Sequence, residues 1–338
     1  MLTFYERIPK NRISAWEKLA EKYGKEEVAM FDLETTGFSP NNAFIYIIGI
    51  NLYKDGEWTI LQLFNDDGRS EPAMLEEFMG IMKDRTVLFH FNGDRFDIPF
   101  VRGRMDKIRQ SMGTLIPDEI SRLTSVDLYT GVKPMKYALG LPNVRQKTVE
   151  QYLGIQREDQ YDGGQLISVY LSYLSSGNEH HRDLVLLHNR DDMEGMFHLA
   201  RMQALMELGD GNFTLGELST TQEGNRLFLN IPLFTEYDLP KPLETTGFGA
   251  SLSGNGRNLS LCLMLHSGTC QCRITKQKQE GFFLSAADYT GAQHFTDPAI
   301  KRSDFIAADD GLLGNPDKLK DYAHAVVQKL MRQNPRNH

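Results

Sequence analysis

The order of strand-like and helix-like segments in the first third of the chain restricts the folds open to it. The run VAMFDLE has the composition of a buried strand, and FIYIIGINLY and WTILQLF flank a Lys54-Asp55-Gly56 turn that predicts a β-hairpin. The elements that follow are a helix, a strand, a second helix and a fifth strand: SEPAMLEEFMGIMK, TVLFHFNG, the segment from Asp97 to about Gln110, and SVDLY. A hairpin followed by alternating helices and strands predicts a mixed α/β layer fold.

Changes in residue pattern predict three segments along the chain. Residues 1–27 are expected to form a helical lead-in with Ser14 as its cap, residues 28–208 an α/β domain, and residues 209–338 a β-rich accessory region of unknown role. The accessory region contains aromatic and basic residues that indicate either the core of a small β domain, which we favour, or a surface for single-stranded nucleic acid. These residues are Phe282, Phe283, Tyr289, Phe295, Phe305, Lys276, Lys278, Lys301 and Arg302.

Composition excludes several classes of protein. The formal net charge of −8 argues against a protein whose main role is to coat nucleic acid. The longest apolar runs are shorter than the ~20 residues that cross a bilayer, and the N-terminus lacks the apolar stretch of a secretory signal. The three cysteines form an odd set that is typical of free thiols in a reducing compartment. We therefore expect a cytoplasmic protein with no membrane association.

A local excess of basic residues follows Asp97 and could guide a phosphate backbone, although a solvated helical face is an equal alternative. These residues are Arg102, Arg104, Lys107, Arg109, Arg122, Lys133, Lys136, Arg145 and Lys147.

Acidic side chains occur in three separate stretches with little matching positive charge. Asp32 and Glu34 lie two positions apart on a predicted strand, so both carboxylates face the same side, just before a turn. Asp97 follows a later strand, and Asp192 lies on a late helix. A pocket that collects four carboxylates repels itself unless a cation binds, and hard oxygen ligands suit Mg²⁺ or Mn²⁺. The pattern indicates metal-dependent phosphoryl-transfer chemistry.

Three motifs in order resemble those of a known family. They are Asp-x-Glu-Thr-Thr-Gly from Asp32, Asn-Gly-x-x-Phe-Asp from Asn92, and His-Asn-Arg-Asp-Asp from His188. Together they resemble the motifs of the DEDD (DnaQ-like) 3′–5′ exonuclease superfamily. The sequence between them is similar to the YprB-type ribonuclease H-like domain, and the resemblance covers about residues 28–205. The resemblance implies a mixed five-stranded ribonuclease H-like sheet flanked by helices.

The resemblance also implies a two-metal-ion nuclease that shortens nucleic acid from a 3′ end, with DNA or RNA, single-stranded at that end, as its partner. Asp32 would bridge two Mg²⁺ or Mn²⁺ ions, Glu34 and Asp192 would hold the ion that carries the attacking water, and Asp97 would act through water on the other. The residues implied in substrate binding are Thr35, Thr36, Phe38 and Asn92. Phe38 could stack on a base, or simply pack beside the turn.

His188 stands four positions before Asp192, a spacing that puts both side chains on one face of a helix. A neutral imidazole can accept a proton from the attacking water, so we interpret His188 as the general base. A structural role, such as holding a carboxylate, is the alternative. Asp191 could replace Asp192 as the metal ligand, but it points roughly 100° away on a regular helix.

Two other functions are compatible with these residues. One is a catalytically silent protein that binds nucleic acid or acts as a scaffold on the same fold. The other is a hydrolase of a small phosphodiester, which the acidic overall charge allows.

Overall fold

The computed structural model describes residues 1–161, 163–300 and 303–333. The chain divides into two compact units. The first comprises Met1–Thr130 and Val144–Ala200, and the second comprises Gly131–Asn143 and the chain from Arg201 onward. Within the described ranges, no helix combines the length and the apolar character needed to cross a membrane.

A mixed six-stranded sheet forms the centre of the first unit. Its strands are β1 (Leu2–Ile8), β2 (Val28–Thr35), β3 (Ile45–Lys54), β4 (Glu57–Phe64), β5 (Val87–His90) and β6 (Thr124–Asp127). They lie in the order β1-β4-β3-β2-β5-β6, antiparallel from β1 to β2 and parallel from β2 to β6. The α/β fold predicted from the sequence is confirmed.

The N-terminal segment differs from the expected helical lead-in. Leu2–Ile8 is an edge strand that pairs with β4 along its whole length, so the sheet has six strands instead of five. The predicted helix is present only from Ser14 to Glu21. Ile8 is the one fully buried side chain of β1, and an edge strand with exposed side chains on both faces lacks the apolar alternation by which strands are recognised.

Helices cover both faces of this sheet. Those up to Leu199 are α1 (Ser14–Glu21), α2 (Glu71–Met82), α3 (Asp97–Met112), α4 (Leu128–Val132), α5 (Gln146–Tyr152), α6 (Gly163–Ser176) and α7 (Glu179–Leu199). The hairpin between β3 and β4 turns at Asp55 and Gly56, whose φ angles of 52° and 84° confirm the predicted tight turn.

Alternation along β2 assigns its side chains to two different layers. Ala29, Phe31 and Leu33 join a buried cluster with residues of α2 and α3. Asp32 and Glu34 point to the opposite face, where side chains of α7 contact them. The sheet therefore separates an apolar layer from a layer in which carboxylates meet α7.

The second unit is built on a nine-stranded antiparallel sheet. Its strands are β7 (Thr214–Leu215), β8 (Ser219–Glu223), β9 (Arg226–Phe234), β10 (Leu243–Gly247), β11 (Ala250–Asn255), β12 (Asn258–Cys272), β13 (Lys278–Ser285), β14 (His294–Thr296) and β15 (Phe305–Ala307). Its helices are α8 (Gln203–Asp210), α9 (Asp310–Leu313) and α10 (Pro316–Arg332). The long strand β12 pairs with four neighbours and holds the sheet together.

Most C-terminal aromatic residues form core, as the favoured interpretation predicted. Phe283 and Phe295 pack with Cys270 and Cys272 in a buried cluster, and Tyr289 is also buried. Phe282, on the opposite face of β13, is 49% exposed. Lys301 and Arg302 lie outside the described residues.

Candidate active site

Three elements of the first unit bring the predicted acids together. Asp32 and Glu34 lie near the end of β2, Asp97 is the first residue of α3, and Asp192 lies on α7. A carboxyl oxygen of Glu34, a carboxyl oxygen of Asp192 and a ring nitrogen of His188 lie within 4.8 Å of one another. Carboxyl oxygens at this spacing suit a hard metal ion, and the ring nitrogen lies beside the same position.

Burial and mutual repulsion raise the pKa values of the clustered carboxyls. The pKa of Asp32 is well above its usual range because of burial first, and then because of the charges of Asp192, Asp97 and Glu34. Burial likewise raises the pKa of Glu34 to about 8, although the neighbouring His188 opposes the shift. The pKa of Asp97 rises to about 7, again mainly through burial. Without a cation, the cluster therefore resists carrying its full negative charge.

A glycine on β3 permits α7 to approach the acids. Gly49 is paired with Asp32 across the sheet, and a Cβ atom at Gly49 would lie 2.5 Å from Asn189 Oδ1 and 2.7 Å from Met193 Cγ. The Asn189 amide donates to Asp32 Oδ2 at 3.3 Å, and Gln62 donates to Asn189 Oδ1 at 2.9 Å. Asn189 is fully buried, so this chain of hydrogen bonds fixes α7 against β2.

His188 faces carboxylates on both sides of its ring. Its Nδ1 lies 2.6 Å from Asp159 Oδ2, and its Nε2 lies 3.3 Å from Asp192 Oδ2 and 3.6 Å from Glu34 Oε1. Burial lowers the pKa of the imidazole, but the charges of Glu34, Asp192 and Asp159 outweigh burial and raise it above its usual value. The structure thus brings His188 to the same cluster as two of the acids.

Asp191 is engaged away from the acid cluster. Its Oδ2 accepts hydrogen bonds from the backbone N–H groups of Glu158 and Asp159 at 2.8 and 2.9 Å, and its Oδ1 lies 3.2 Å from Arg190 Nη1. Asp192, four residues after His188, is the member of the pair that faces Glu34. This arrangement favours Asp192 over Asp191 as a metal ligand.

The residues expected to contact substrate lie in two places: Thr35, Thr36 and Phe38 at the turn that follows β2, and Asn92 after β5. Thr35 Oγ1 donates to the Gly37 carbonyl, and Thr36 Oγ1 accepts from the backbone N–H of Phe44, so both hydroxyls hold the turn. Phe38 is 91% exposed, and its ring lies edge-on to that of Phe96 at 6.3 Å between centroids. Phe38 is therefore open to a ligand, while its role in binding stays a prediction.

Asn92 adopts a left-handed backbone conformation with φ of 65°, which Asn tolerates better than most residues. Its backbone N–H donates to Asp127 Oδ1 at 2.7 Å, and the backbone N–H of Tyr129 donates to the same oxygen at 3.0 Å. After burial, the charge of Asp127 is also among the causes of the raised pKa of Asp97. Asp127 was missed as a site residue, although its position at the end of a parallel strand could have indicated it.

A buried arginine, Arg157, lies next to the acids and was not identified from the sequence. Arg157 Nη2 donates to Asp192 Oδ1 at 2.6 Å and to Glu150 Oε1 at 2.8 Å. The side chain of Arg157 is 6% exposed and that of Glu150 is 1% exposed. Both residues lie between the second and third motifs, in a stretch that resembles the YprB-type domain, but no pattern of residue types there indicated a role for either of them.

Part of the basic segment after Asp97 is occupied by internal ion pairs. Four of its arginines lie within 3.0 Å of carboxylates in the pairs Arg102–Asp118, Arg104–Glu71, Arg109–Asp106 and Arg122–Glu119. The Arg104 pair is nearly buried and fixes α3 to α2. Arg104 therefore has a structural role, whereas Arg102, Arg109 and Arg122 are exposed, and a role of this segment in guiding a phosphate backbone stays a prediction.

Residues 29–203, more than half of the chain, match the family described as the RNase_H superfamily. The chain belongs to the ribonuclease H superfamily. This membership confirms the ribonuclease H-like fold that the three motifs predicted. The comparison with curated proteins finds no match to this ribonuclease H-like protein.

Solved structures similar to this ribonuclease H-like protein include a polymerase and two exonucleases. The family B DNA polymerase from the hyperthermophilic archaeon Pyrobaculum calidifontis is 13% identical, with a TM-score of 0.46 over 90% of this chain and 46% of that chain. The zinc ion-bound E. coli ExoI–ssDNA complex is 15% identical, with a TM-score of 0.31 over 62% of this chain and 54% of that chain. Exonuclease I from Methylocaldum szegediense is 12% identical, with a TM-score of 0.28 over the same shares. The chain spans about half the length of these proteins.

Proposed function

We propose that this protein is a metal-dependent nuclease of the DEDD type that hydrolyses phosphodiester bonds and shortens single-stranded nucleic acid from its 3′ end. The observation that carries the proposal is that ligand atoms of Glu34, Asp192 and His188 lie within 4.8 Å of one another, while the charge of Asp192 also acts on Asp32 and Asp97. Membership of the ribonuclease H superfamily supports a nuclease. Magnesium or manganese, the 3′–5′ direction and a cytoplasmic location are parts of the proposal that rest on the motifs and the composition.

The donor set fits divalent cations. The four carboxylates supply hard oxygen ligands. The pKa values of Asp32, Glu34 and Asp97 are raised by burial and by neighbouring carboxylates, so a bound cation would relieve the repulsion among them. Ions bound there would lower the pKa of a bound water and neutralise charge on the leaving oxygen. Asp32, whose pKa is raised by the charges of the other three acids as well as by burial, would help to hold these ions.

The remaining groups have roles that follow from their contacts. His188 Nε2 faces Glu34 and Asp192, and in its unprotonated form it can accept a proton from a water held there. Asn189 donates to Asp32 Oδ2 and keeps one carboxylate oxygen oriented. Phe38, exposed beside the turn that follows Glu34, offers a flat surface on which a terminal base can stack.

The test is cleavage of 5′-labelled single-stranded DNA and RNA by the purified protein with Mg²⁺ or Mn²⁺. We expect a ladder of progressively shorter labelled products that chelator abolishes and that Asp32→Asn also abolishes. A ladder that is unchanged in Asp32→Asn would reject this site, because the activity would then come from elsewhere or from a contaminant.

A small phosphodiester, such as a chromogenic nitrophenyl ester, serves as the parallel substrate. Turnover of the ester without turnover of either oligonucleotide would replace the nuclease proposal with a small-phosphodiester hydrolase. Binding of oligonucleotide with no turnover of any substrate would favour the catalytically silent alternative.

A further inference from the structure

One loop contacts both functional side chains of α7. The loop runs between α5 and α6, and within it Arg157 Nη2 donates to Asp192 Oδ1 at 2.6 Å. Two residues later, Asp159 Oδ2 lies 2.6 Å from His188 Nδ1. We infer that this segment, residues 157–159, is a positioning element that sets the orientation of His188 and the exposed oxygen of Asp192. This inference rests on the proposed function, in which those two residues act on substrate.

The loop is itself attached to α7 by its backbone. The N–H groups of Glu158 and Asp159 both donate to Asp191 Oδ2, at 2.8 and 2.9 Å. Asp191 lies between the two functional positions on the helix, and its carboxylate is 5% exposed. A buried carboxylate that accepts two backbone hydrogen bonds fixes the loop close to α7, so displacement of the loop would move both contacts together.

Asp159 determines which nitrogen of His188 carries the proton. The Asp159 side chain is 1% exposed, and its other oxygen accepts the backbone N–H of Tyr161 at 2.9 Å, so the carboxylate is held from two sides. An ionised carboxylate can only accept, so Nδ1 of His188 must be the donor. In the neutral ring, the lone pair is then on Nε2, the nitrogen that faces Glu34 and Asp192.

Arg157 determines which oxygen of Asp192 is available. Its guanidinium is held from behind by Glu150, with Nε 2.5 Å from Oε2 and Nη2 2.8 Å from Oε1. Gln146 Nε2 joins Glu150 Oε1 to the backbone carbonyl of Asp192, at 2.9 and 2.7 Å. With Oδ1 occupied by Arg157, Asp192 presents Oδ2, which lies 3.3 Å from His188 Nε2.

The decisive variant is Asp159→Asn, with Glu158→Gln as its matched control. Both replace a carboxylate with an amide in the same loop, but the Glu158 side chain is exposed and contributes only its backbone to the contacts. In Asp159→Asn, the amide oxygen can keep the Tyr161 contact, and the amide NH₂ then faces His188 Nδ1. We expect the ring to shift its proton to Nε2, which turns the proposed base into a donor.

The readouts are the His188 tautomer by ¹⁵N NMR, Mn²⁺ affinity by electron paramagnetic resonance, and steady-state cleavage. At a pH above the pKa of His188, where the ring is neutral, we expect Nδ1–H in the wild type and Nε2–H in Asp159→Asn. We also expect kcat of Asp159→Asn to be lower by about 100-fold or more, with KM within about threefold and Mn²⁺ affinity little changed. Glu158→Gln should match the wild type in all three. An Nε2–H tautomer in the wild type, or equal kcat values for Asp159→Asn and Glu158→Gln, would overturn the inference.

The Arg157 contact is tested by the double variant Arg157→Gln/Glu150→Gln, which removes both charges of the buried pair together. We expect Mn²⁺ affinity to fall by about tenfold as the Asp192 carboxylate loses its fixed orientation. Unchanged Mn²⁺ affinity in a folded double variant would contradict this part. A wild type that neither binds Mn²⁺ nor cleaves would reject the proposed function, whereas the tautomer measurement would still decide the role of Asp159.

Discussion

Neutralising one acid of the cluster should stabilise the metal-free protein, although it removes a proposed ligand. Glu34 has an ordinary pKa of 4.5 that rises to about 8 in the folded protein. Between these values the folded state binds more protons than the unfolded state, so its stability falls as pH rises through the window. Each pH unit within the window lowers the free energy of unfolding by about 1.4 kcal/mol. The raised pKa of Glu34 therefore lowers the stability of the wild type by about 3 kcal/mol at pH 7 and by less than about 1 kcal/mol at pH 5. Glu34→Gln does not lose this stability, because its amide side chain does not ionise.

Urea unfolding in chelator measures this difference directly. Trp16 and Trp58 are the only tryptophans in the chain, and both are buried in the first unit, so their fluorescence reports on the unit that contains Glu34. We expect Glu34→Gln to be more stable than the wild type at pH 7 by about 3 kcal/mol and nearly equal to it at pH 5. The control is Glu77→Gln on the exposed side of α2, which should change stability by less than about 0.5 kcal/mol.

Divalent metal should remove most of the stability difference between Glu34→Gln and the wild type. Mn²⁺ at about 100 times its dissociation constant adds about 2.7 kcal/mol to a protein that binds it only when folded. The wild type should gain this amount, and Glu34→Gln should gain less. If Glu34→Gln is no more stable than the wild type at pH 7 in chelator, the argument that repulsion among these acids strains the metal-free site is wrong.

Two further substitutions test the packing of α7 and the exposed ring. Gly49→Ala places a methyl group against Asn189, and we expect a loss of about 1–3 kcal/mol in urea unfolding together with reduced cleavage. Its control, Gly80→Ala on α2, meets no atom within 4 Å and should stabilise the protein by about 0.5–1 kcal/mol. Phe38→Ala should leave stability within about 0.5 kcal/mol but weaken binding of single-stranded oligonucleotide by about tenfold in a fluorescence anisotropy titration, and unchanged affinity would exclude base stacking on Phe38.

Much of the first unit could be predicted because its signals are local. The period of two along β2 puts Asp32 and Glu34 on one face, and an Asp-Gly pair marks the hairpin. The spacing of four between His188 and Asp192 fixes their common face on α7. Each of these features depends on residues close in sequence, so periodicity is sufficient to find it.

Features that depend on distant partners could not be predicted in the same way. The strand β1 exists because β4 offers it an edge, and its exposed side chains carry no strand pattern. The end of α7 at Leu199, followed by a 3₁₀ turn before α8, is another such feature, because residues 196–203 contain no glycine or proline that would signal the break. The loop at 157–159 has no periodicity, and its importance comes only from contacts with a helix about thirty residues later.

In the proposed site, acids from β2, α3 and α7 share divalent cations. The most direct measurement is a crystal structure of the protein grown with Mn²⁺, with data collected to locate manganese by its anomalous scattering. We predict manganese peaks bonded to carboxyl oxygens of Asp32, Glu34, Asp97 and Asp192. Well-ordered side chains at these four positions with no manganese between them, at a Mn²⁺ concentration that supports cleavage, would show that these acids do not form the metal site.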